Sequence, residues 1–220
     1  MVDELGKIEK PPVEVFKKGR KLYFIPLVYC GEGPPEDYLE IYNNYWEQVE
    51  KQLSDLELKL GKVNRTYHEL ISTAGEEGSN TIKDLNDRSY KIIQTCLDRG
   101  AQFEAVEDND LLTEFMDWSR CLIIGLQNQK VISRVYESYS EVSDKRHKYI
   151  SASIDGTLDT DETGILLMRE NHQVQFPSDI QVFYIAPPAL DEIKRWLRAH
   201  QTQPNAESWA ASRHTFRDET

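Results

Sequence analysis

Residues 22–28, Leu22-Tyr23-Phe24-Ile25-Pro26-Leu27-Val28, form a short continuous apolar run near the start of the chain. Such a run is typical of a strand that is buried on both faces. Pro26 places this strand at a sheet edge or marks its end, because proline cannot donate a backbone hydrogen bond. The Gly- and Pro-rich residues 31–35 then interrupt regular structure. The run therefore predicts the first strand of a sheet, followed by a loop.

A long amphipathic helix is predicted directly after this loop. From Tyr38 to Leu60, apolar side chains recur every three or four residues and form one face of a helix. Gly61 is its natural C-terminal stop. The first half of the helix carries an aromatic stripe, which we interpret as core or as a dimer surface; the stripe consists of Tyr38, Tyr42, Tyr45 and Trp46.

The rest of the chain alternates between predicted strands and predicted helices. Strand patterns cover residues 62–69, 101–106, 164–168 and 180–185. Helical periodicity covers residues 79–97, 109–126, 131–158 and 190–199. The helix that starts at Asp108 or Asn109 is apolar over so much of its surface that we expect it to be buried. The turn-rich residues 72–78 predict a mobile loop.

Strands separated by long helices indicate a parallel sheet, because a parallel connection must cross back over the sheet. The sequence therefore predicts an α/β fold with a mainly parallel central sheet of about five strands, flanked by long helices. We expect a single domain over residues 21–200, preceded by a flexible leader (residues 1–20) and followed by a loosely ordered tail (residues 201–220).

Charge and composition narrow the classes of partner. The 220 residues carry a formal net charge of -12, which disfavours binding to the phosphate backbone of nucleic acids. No apolar run approaches the roughly 20 residues that span a bilayer, and the N-terminus lacks the layout of a signal peptide. We therefore expect a cytoplasmic protein without a membrane partner. The three cysteines form no CxxC pair, which favours reduced thiols over a disulfide framework or a zinc site.

Charged side chains follow several predicted strands. In open α/β sheets the ligand cleft lies outside the carboxyl ends of the strands. The strand at residues 62–69 ends with His68 and Glu69, and the third strand is followed by Glu107 and Asp108. The strand at residues 164–168 is followed by Arg169, Glu170 and His172. If these ends converge, carboxylates and imidazoles share one rim. Such a rim could support general acid/base chemistry or bind a divalent metal.

Ordinary structural roles compete with this interpretation. Glu69 and Glu107 could cap or solvate the starts of loops, and His172 could be a common loop histidine. Arg146, within the charged segment 144–147, could lie on a solvated helix face or could reach an anionic ligand. The sequence contains no HExxH, GxSxG, Walker or Rossmann glycine motif. The residues alone leave open whether the protein is an enzyme.

The C-terminal half also carries a longer pattern. An Arg-containing helix, Asp144-Lys145-Arg146-His147-Lys148-Tyr149-Ile150, is followed by the strand Gly164-Ile165-Leu166-Leu167-Met168 and then by His172. This order resembles the TraB/Tiki and erythromycin-esterase-like superfamily. In that superfamily an acidic residue follows an earlier core strand, a place that Glu69 fills here. The resemblance implies a hydrolytic, sometimes metal-dependent, site built from Glu69, Glu107, Arg146 and His172.

Two hypotheses from different classes follow. The first is a TraB-like α/β domain whose strand-end residues form a hydrolase-like site that binds a small anionic ligand or a metal. The alternative is a non-enzymatic interaction or regulatory module that uses the aromatic helix to form a homo-oligomer. The first requires Glu69, Glu107, Arg146 and His172 to face one pocket, whereas the second requires an exposed aromatic stripe.

Overall fold

The computed structural model describes residues 16–31 and 33–200 of the chain. Within them the strands are β1 (Arg20–Pro26), β2 (Arg65–His68), β3 (Gln102–Phe103), β4 (Thr163–Met168) and β5 (Ile180–Tyr184). The helices are α1 (Glu36–Leu60), α2 (Gly75–Leu85), α3 (Asp87–Asp98), α4 (Asn109–Ile123), α5 (Gln129–Thr157) and α6 (Pro188–His200). The predicted α/β fold class is confirmed.

The five strands form one sheet in the order β3-β2-β4-β1-β5, and all neighbouring strands are parallel. β1 pairs with β4 on one side and with β5 on the other, so it is an interior strand. Pro26 is its last residue. The prediction that Pro26 marks the end of the strand is therefore confirmed, and the alternative that it places the strand at a sheet edge is wrong.

Helices cover both faces of the sheet. Side chains of β1 alternate between the two faces: Tyr23 and Ile25 pack with α1, α2, α3 and α6, whereas Leu22 and Phe24 pack with α5 and the β4–β5 connection. The four rings of the aromatic stripe are all buried in the first of these cores. The stripe is therefore core, and self-association would have to use another surface.

The structure corrects two predicted elements on the β3 side of the sheet. The helix predicted over residues 79–97 is divided into α2 and α3 at Asn86, whose extended backbone breaks the helix while its side chain accepts a hydrogen bond from the Ser89 amide. α2 begins at Gly75, inside the predicted mobile loop. The strand predicted over residues 101–106 keeps only two paired residues, because the chain leaves the sheet towards α4.

The expectation that α4 is buried is wrong. Only Leu112 and Phe115 of this helix are buried, and Ile123 at its end is exposed. The apolar side chains of α4 are spread around the helix, but only one face meets α5. Most of the remaining apolar side chains of α4 are consequently only half-buried.

α5 is an unbroken helix that is longer than the sheet it covers. Its 29 residues span roughly 43 Å at 1.5 Å per residue, whereas the six residues of β4 span roughly 20 Å. Its C-terminal part packs on the sheet through Ile150 and Ile154. Its N-terminal part therefore extends past the carboxyl ends of the strands. None of the described helices is both long and apolar enough to cross a membrane.

The predicted leader and tail fall mostly outside the described residues, which exclude 1–15 and 201–220. The described end of the leader contacts the domain. Phe16 packs against Phe183 with ring centroids 6.1 Å apart, and β1 begins at Arg20, one residue before the predicted domain boundary.

Gly78 is required by close packing between α2 and the segment before it. A Cβ atom at this position would overlap the carbonyl oxygen of Thr73 and lie 2.8 Å from Cε1 of Phe103. We expect Gly78→Ala to lower the free energy of unfolding by about 1–3 kcal/mol, because backbone and ring must move apart. Urea unfolding followed by circular dichroism measures this change.

Gly156 in α5 is the matched control for this substitution, since a Cβ atom there meets nothing within 4 Å. We expect Gly156→Ala to raise the free energy of unfolding by about 0.5–1 kcal/mol, as alanine favours a helix over glycine. Equal effects of the two substitutions would contradict the packing described around Gly78.

Candidate functional site

The strand order opens a crevice at the carboxyl end of the sheet. The connections that leave β1 and β2 run towards the β3 edge, whereas the connection that leaves β4 runs towards β5. Ligands of open α/β sheets bind where neighbouring connections diverge in this way. Glu69 directly follows β2 and Arg169 directly follows β4, so both lie at this crevice.

Four alternating charges, which we call the charge chain, run from the core to this crevice: Glu107, Arg146, Glu69 and Arg169. Arg146 donates from Nε to Oε2 of Glu107 at 2.8 Å, and also from Nη2 to Oε1 of the same carboxylate. Nη2 of Arg146 lies 4.0 Å from Oε2 of Glu69. Arg169 donates from Nε to both carboxylate oxygens of Glu69, at 3.1 and 3.3 Å. The first three side chains are at most 3% exposed, whereas that of Arg169 is 46% exposed.

The buried end of the charge chain is well supported. Glu107 also accepts a hydrogen bond from the backbone amide of Leu70 at 3.0 Å, and the guanidinium of Arg146 lies 4.7 Å from the centre of the Phe115 ring. Leu70 has a φ of 70°, a left-handed conformation that leucine rarely adopts. Such strained residues are common at functional sites, where surrounding contacts hold them in place.

Burial dominates the electrostatics of Glu69. It raises the pKa of this carboxyl, and the neighbouring guanidinium groups of Arg169 and Arg146 oppose the increase. Tyr29, which follows β1, places its hydroxyl 3.5 Å from Oε1 of Glu69, and burial raises the pKa of this phenol. Groups with perturbed pKa values at the end of a sheet are candidates for function.

Two imidazoles lie beside the charge chain. His172 packs against Phe24 at a centroid distance of 4.8 Å, and its Nδ1 accepts a hydrogen bond from the Val174 amide at 3.2 Å. Burial lowers the pKa values of His172 and of His147. His172 is therefore neutral near pH 7, with its proton on Nε2. Nδ1 of His147 is buried and has no hydrogen-bond partner within residues 16–31 and 33–200.

The two imidazoles and three members of the charge chain, Glu69, Arg146 and Arg169, line a cavity of about 370 Å³, which we call the strand-end cavity. Its volume lies within the range of roughly 300–1,000 Å³ that is usual for small-molecule sites. One wall is a single face of α5, on which side chains recur every three or four residues: Tyr136, Tyr139, Ser140, Ser143, Arg146 and His147. The facing wall is the start of the β4–β5 connection, including Arg169 and His172.

The structure brings the predicted site residues together. Glu69, Arg146 and His172 all line the strand-end cavity, and Glu107 lies behind it, bonded to Arg146. The alternative placement of Arg146 on a solvated helix face is wrong, since this residue is 3% exposed. Its position four residues from both Val142 and Ile150, which are buried, is a sequence signal for burial.

The predicted catalytic set left out Arg169, although this residue follows a strand end, and it also left out His147. Arg169 stands 100 residues from Glu69 in the chain, and only the adjacency of β2 and β4 brings them into contact. Among the described residues, no group of three or more His, Cys, Asp or Glu side chains is arranged to hold a metal ion. Both predicted carboxylates instead bind guanidinium groups.

His68, beside Glu69, makes the stability of this end of the sheet sensitive to pH. Its Nδ1 lies 2.6 Å from the carbonyl oxygen of Glu69, its Nε2 lies 3.1 Å from Oγ of Ser89, and burial lowers its pKa from 6.5 to about 4. Between pH 6.5 and 4 the unfolded chain takes up a proton that the folded chain does not. The contribution of His68 to the free energy of unfolding is therefore fully present above pH 6.5 and is lost as the pH falls towards 4.

We expect this histidine to remove about 2 kcal/mol of stability between pH 7.5 and pH 5. The measurement is the free energy of unfolding in urea at both pH values, for the wild type and for His68→Gln. Between pH 7.5 and pH 5, the free energy of unfolding of His68→Gln should fall by about 2 kcal/mol less than that of the wild type. The surface control His200→Gln should show the same decrease as the wild type. The same pH dependence in all three proteins would contradict a buried neutral His68.

Comparison of the chain with protein-family profiles, with curated proteins and with solved structures gave no match. The resemblance to the TraB/Tiki and erythromycin-esterase-like superfamily therefore stays a prediction.

Proposed function

We propose that the protein binds a small ligand through an anionic oxygen group in the strand-end cavity. One observation carries this proposal: the two arginines of the charge chain keep N–H groups that the protein does not use. Nη1 and Nη2 of Arg169 form no hydrogen bond within the described part of the chain, and its side chain is partly exposed. Arg146 lines the same cavity, and its Nη1 donates no hydrogen bond within the described residues.

The pairing of charges supports a site that is ready before the ligand arrives. Burying a guanidinium without a partner is costly, but Glu107 and Glu69 compensate Arg146 and Arg169 in the free protein. Both carboxylate oxygens of Glu69 already accept a hydrogen bond from Arg169. The hydrogen-bonding groups that stay unused around this carboxylate are therefore mainly donors. A planar guanidinium with two free N–H groups matches the geometry of a carboxylate or a phosphate oxygen pair.

Acetate is the simplest probe of this function. Its binding would be measured by isothermal titration calorimetry or by ligand-observed NMR, at constant ionic strength with chloride as the exchanged anion. We expect saturable binding that Arg169→Gln weakens about tenfold or more, because a charge-assisted hydrogen bond contributes roughly 1.5–3 kcal/mol. Arg169→Lys keeps the charge beside Glu69 but loses the planar donor pair, and should also bind more weakly.

Arg195→Gln on α6 is the matched control. It removes one positive charge from an exposed position outside the strand-end cavity. Acetate binding should be the same in this variant as in the wild type. Equal weakening in Arg195→Gln and Arg169→Gln would mean that only the net charge matters, and would overturn the proposal.

Hydrolysis is a second candidate function, favoured by the presence of Glu69 and two neutral imidazoles in the same cavity. In this reaction water adds to an ester carbonyl, the ester C–O bond breaks, and Glu69 transfers a proton from the water to the leaving alcohol. The free arginine N–H groups would stabilise the negative oxygen formed on the way.

Release of p-nitrophenol from p-nitrophenyl esters of short carboxylic acids tests this second candidate. We expect turnover that falls by about 100-fold or more in Glu69→Gln, whereas acetate should bind at least as tightly, because the substitution removes a negative charge beside Arg169. Turnover that is the same in both proteins, or no turnover above the buffer rate, would reject hydrolysis of these esters and leave the binding function standing.

A further inference from the structure

The charges of the strand-end cavity limit how much negative charge a ligand can bring. The charge chain contains two arginines and two glutamates, so it is balanced before any ligand binds. Asp144 adds a further carboxylate at the cavity wall. Burial keeps both imidazoles neutral by lowering the pKa values of His147 and His172. Each charge on a ligand is therefore compensated only by reorganising pairs that already exist.

The helix wall of the cavity, formed by α4 and α5, carries aromatic side chains beside the charge chain. Phe115 of α4 and Tyr139 of α5 pack with ring centroids 5.4 Å apart, and both line the cavity. Tyr136, one turn earlier on α5, also lines it and is 58% exposed. An exposed aromatic side chain at the mouth of a cavity can still cover apolar surface of a ligand. Ser140 and Ser143 of α5 also line the cavity.

Arginine donors and aromatic rings in one cavity define a ligand with two unlike parts. We infer that the strand-end cavity takes a monoanion with a flat apolar body, in which a single carboxylate-like group contacts Arg169 and the body lies against Tyr136 and Tyr139. This inference rests on the proposed function, since it names the ligand class of the same site. A ligand with two charges on one group is a poorer fit, because the second charge requires further reorganisation of the existing pairs and is repelled by Glu69 and Asp144.

Four small probes distinguish the effect of the ligand's charge from the effect of its aromatic ring: benzoate, acetate, phenyl phosphate and benzamide. Benzoate is a monoanion with a ring, and acetate is a monoanion without one. Phenyl phosphate carries close to two charges at pH 8, because the second pKa of a phosphate ester is about 6. Benzamide keeps the ring and is neutral. Dissociation constants would be measured by calorimetry at pH 8 and constant ionic strength.

We expect benzoate to bind most tightly. It should bind about three- to tenfold more tightly than acetate, because its ring contacts the aromatic side chains. It should bind roughly tenfold more tightly than phenyl phosphate, because the second charge of phenyl phosphate is unfavourable in this cavity. Tyr136→Ala should reduce the affinity for benzoate towards that of acetate and leave acetate binding unchanged. Tyr149→Ala removes a ring of similar exposure from the same helix outside the cavity, and should change neither value.

The outcomes distinguish the inference from the function on which it rests. If phenyl phosphate binds as tightly as benzoate, or if acetate does, the inference is overturned, although anion binding that depends on Arg169 still supports the proposed function. If benzamide binds as tightly as benzoate, or if none of the anions binds, the proposed function itself is overturned.

Discussion

Replacing Arg146 by methionine is expected to lower the free energy of unfolding by about 3–5 kcal/mol. The substitution leaves Glu107, whose side chain is fully buried, without the guanidinium that gives it two hydrogen bonds. Methionine fills a similar volume, so most of the loss comes from the unpaired charge rather than from a cavity. Urea unfolding at pH 7.5, followed by tryptophan fluorescence, measures the change.

Two further variants isolate this cause. Adding Glu107→Gln to Arg146→Met removes the unpaired charge, and the double variant should be more stable than Arg146→Met alone. Lys145→Met removes the neighbouring positive charge, which pairs with Glu141 at the surface, and should change stability by no more than about 0.5 kcal/mol. A loss of less than about 1 kcal/mol in Arg146→Met would contradict the buried pair at the base of the charge chain.

Replacing Trp46 by alanine is expected to lower the free energy of unfolding by about 3–5 kcal/mol as well. Its indole is fully buried, and it packs against the rings of Tyr45 and Tyr42 at centroid distances of 5.1 and 6.2 Å. Alanine would leave a cavity in the core between α1 and the sheet. The same urea experiment measures this loss, with circular dichroism as the probe because a tryptophan is removed.

This variant also separates the two interpretations of the aromatic stripe. If the stripe is core, the loss of stability does not depend on protein concentration, and the sedimentation coefficient of the folded protein stays the same. Leu58→Ala on the same helix is the control, since Leu58 is 84% exposed and should contribute less than about 0.5 kcal/mol. A Trp46→Ala protein that keeps its stability but changes its oligomeric state would show that the stripe is an interface.

The sequence predicted well those parts of the fold whose apolar residues follow a clear pattern, either a helical period or a continuous run. The spacing of apolar residues in α1, ending at Gly61, left little choice of structure, and the continuous apolar run of β4 was equally clear. β3 and α4 were predicted less well. How far a short strand pairs, and which side of an apolar helix is covered, depend on the neighbours that the fold supplies.

The candidate site was predicted in part for the same reason. The rule that ligands bind at strand ends needs only the position of each residue relative to a strand, and it selected Glu69, Glu107, Arg169 and His172. The contact between Arg169 and Glu69 depends on β2 and β4 being neighbours, although α2 to α5 separate them in the chain. The local spacing of apolar residues does not determine which strands are neighbours, so this contact could be identified only from the structure.

NMR of the arginine side chains tests most directly whether Arg146 and Arg169 present their free N–H groups to an anion in the strand-end cavity. Benzoate and acetate would be titrated into protein labelled with ¹⁵N-arginine, and the guanidinium resonances assigned with the Arg169→Lys and Arg146→Met variants. The account predicts saturable shifts of the Arg169 and Arg146 resonances with one dissociation constant, while those of Arg20 and Arg65, which pair with acidic residues elsewhere, stay in place. Unchanged resonances of Arg146 and Arg169, or shifts confined to other arginines, would contradict it.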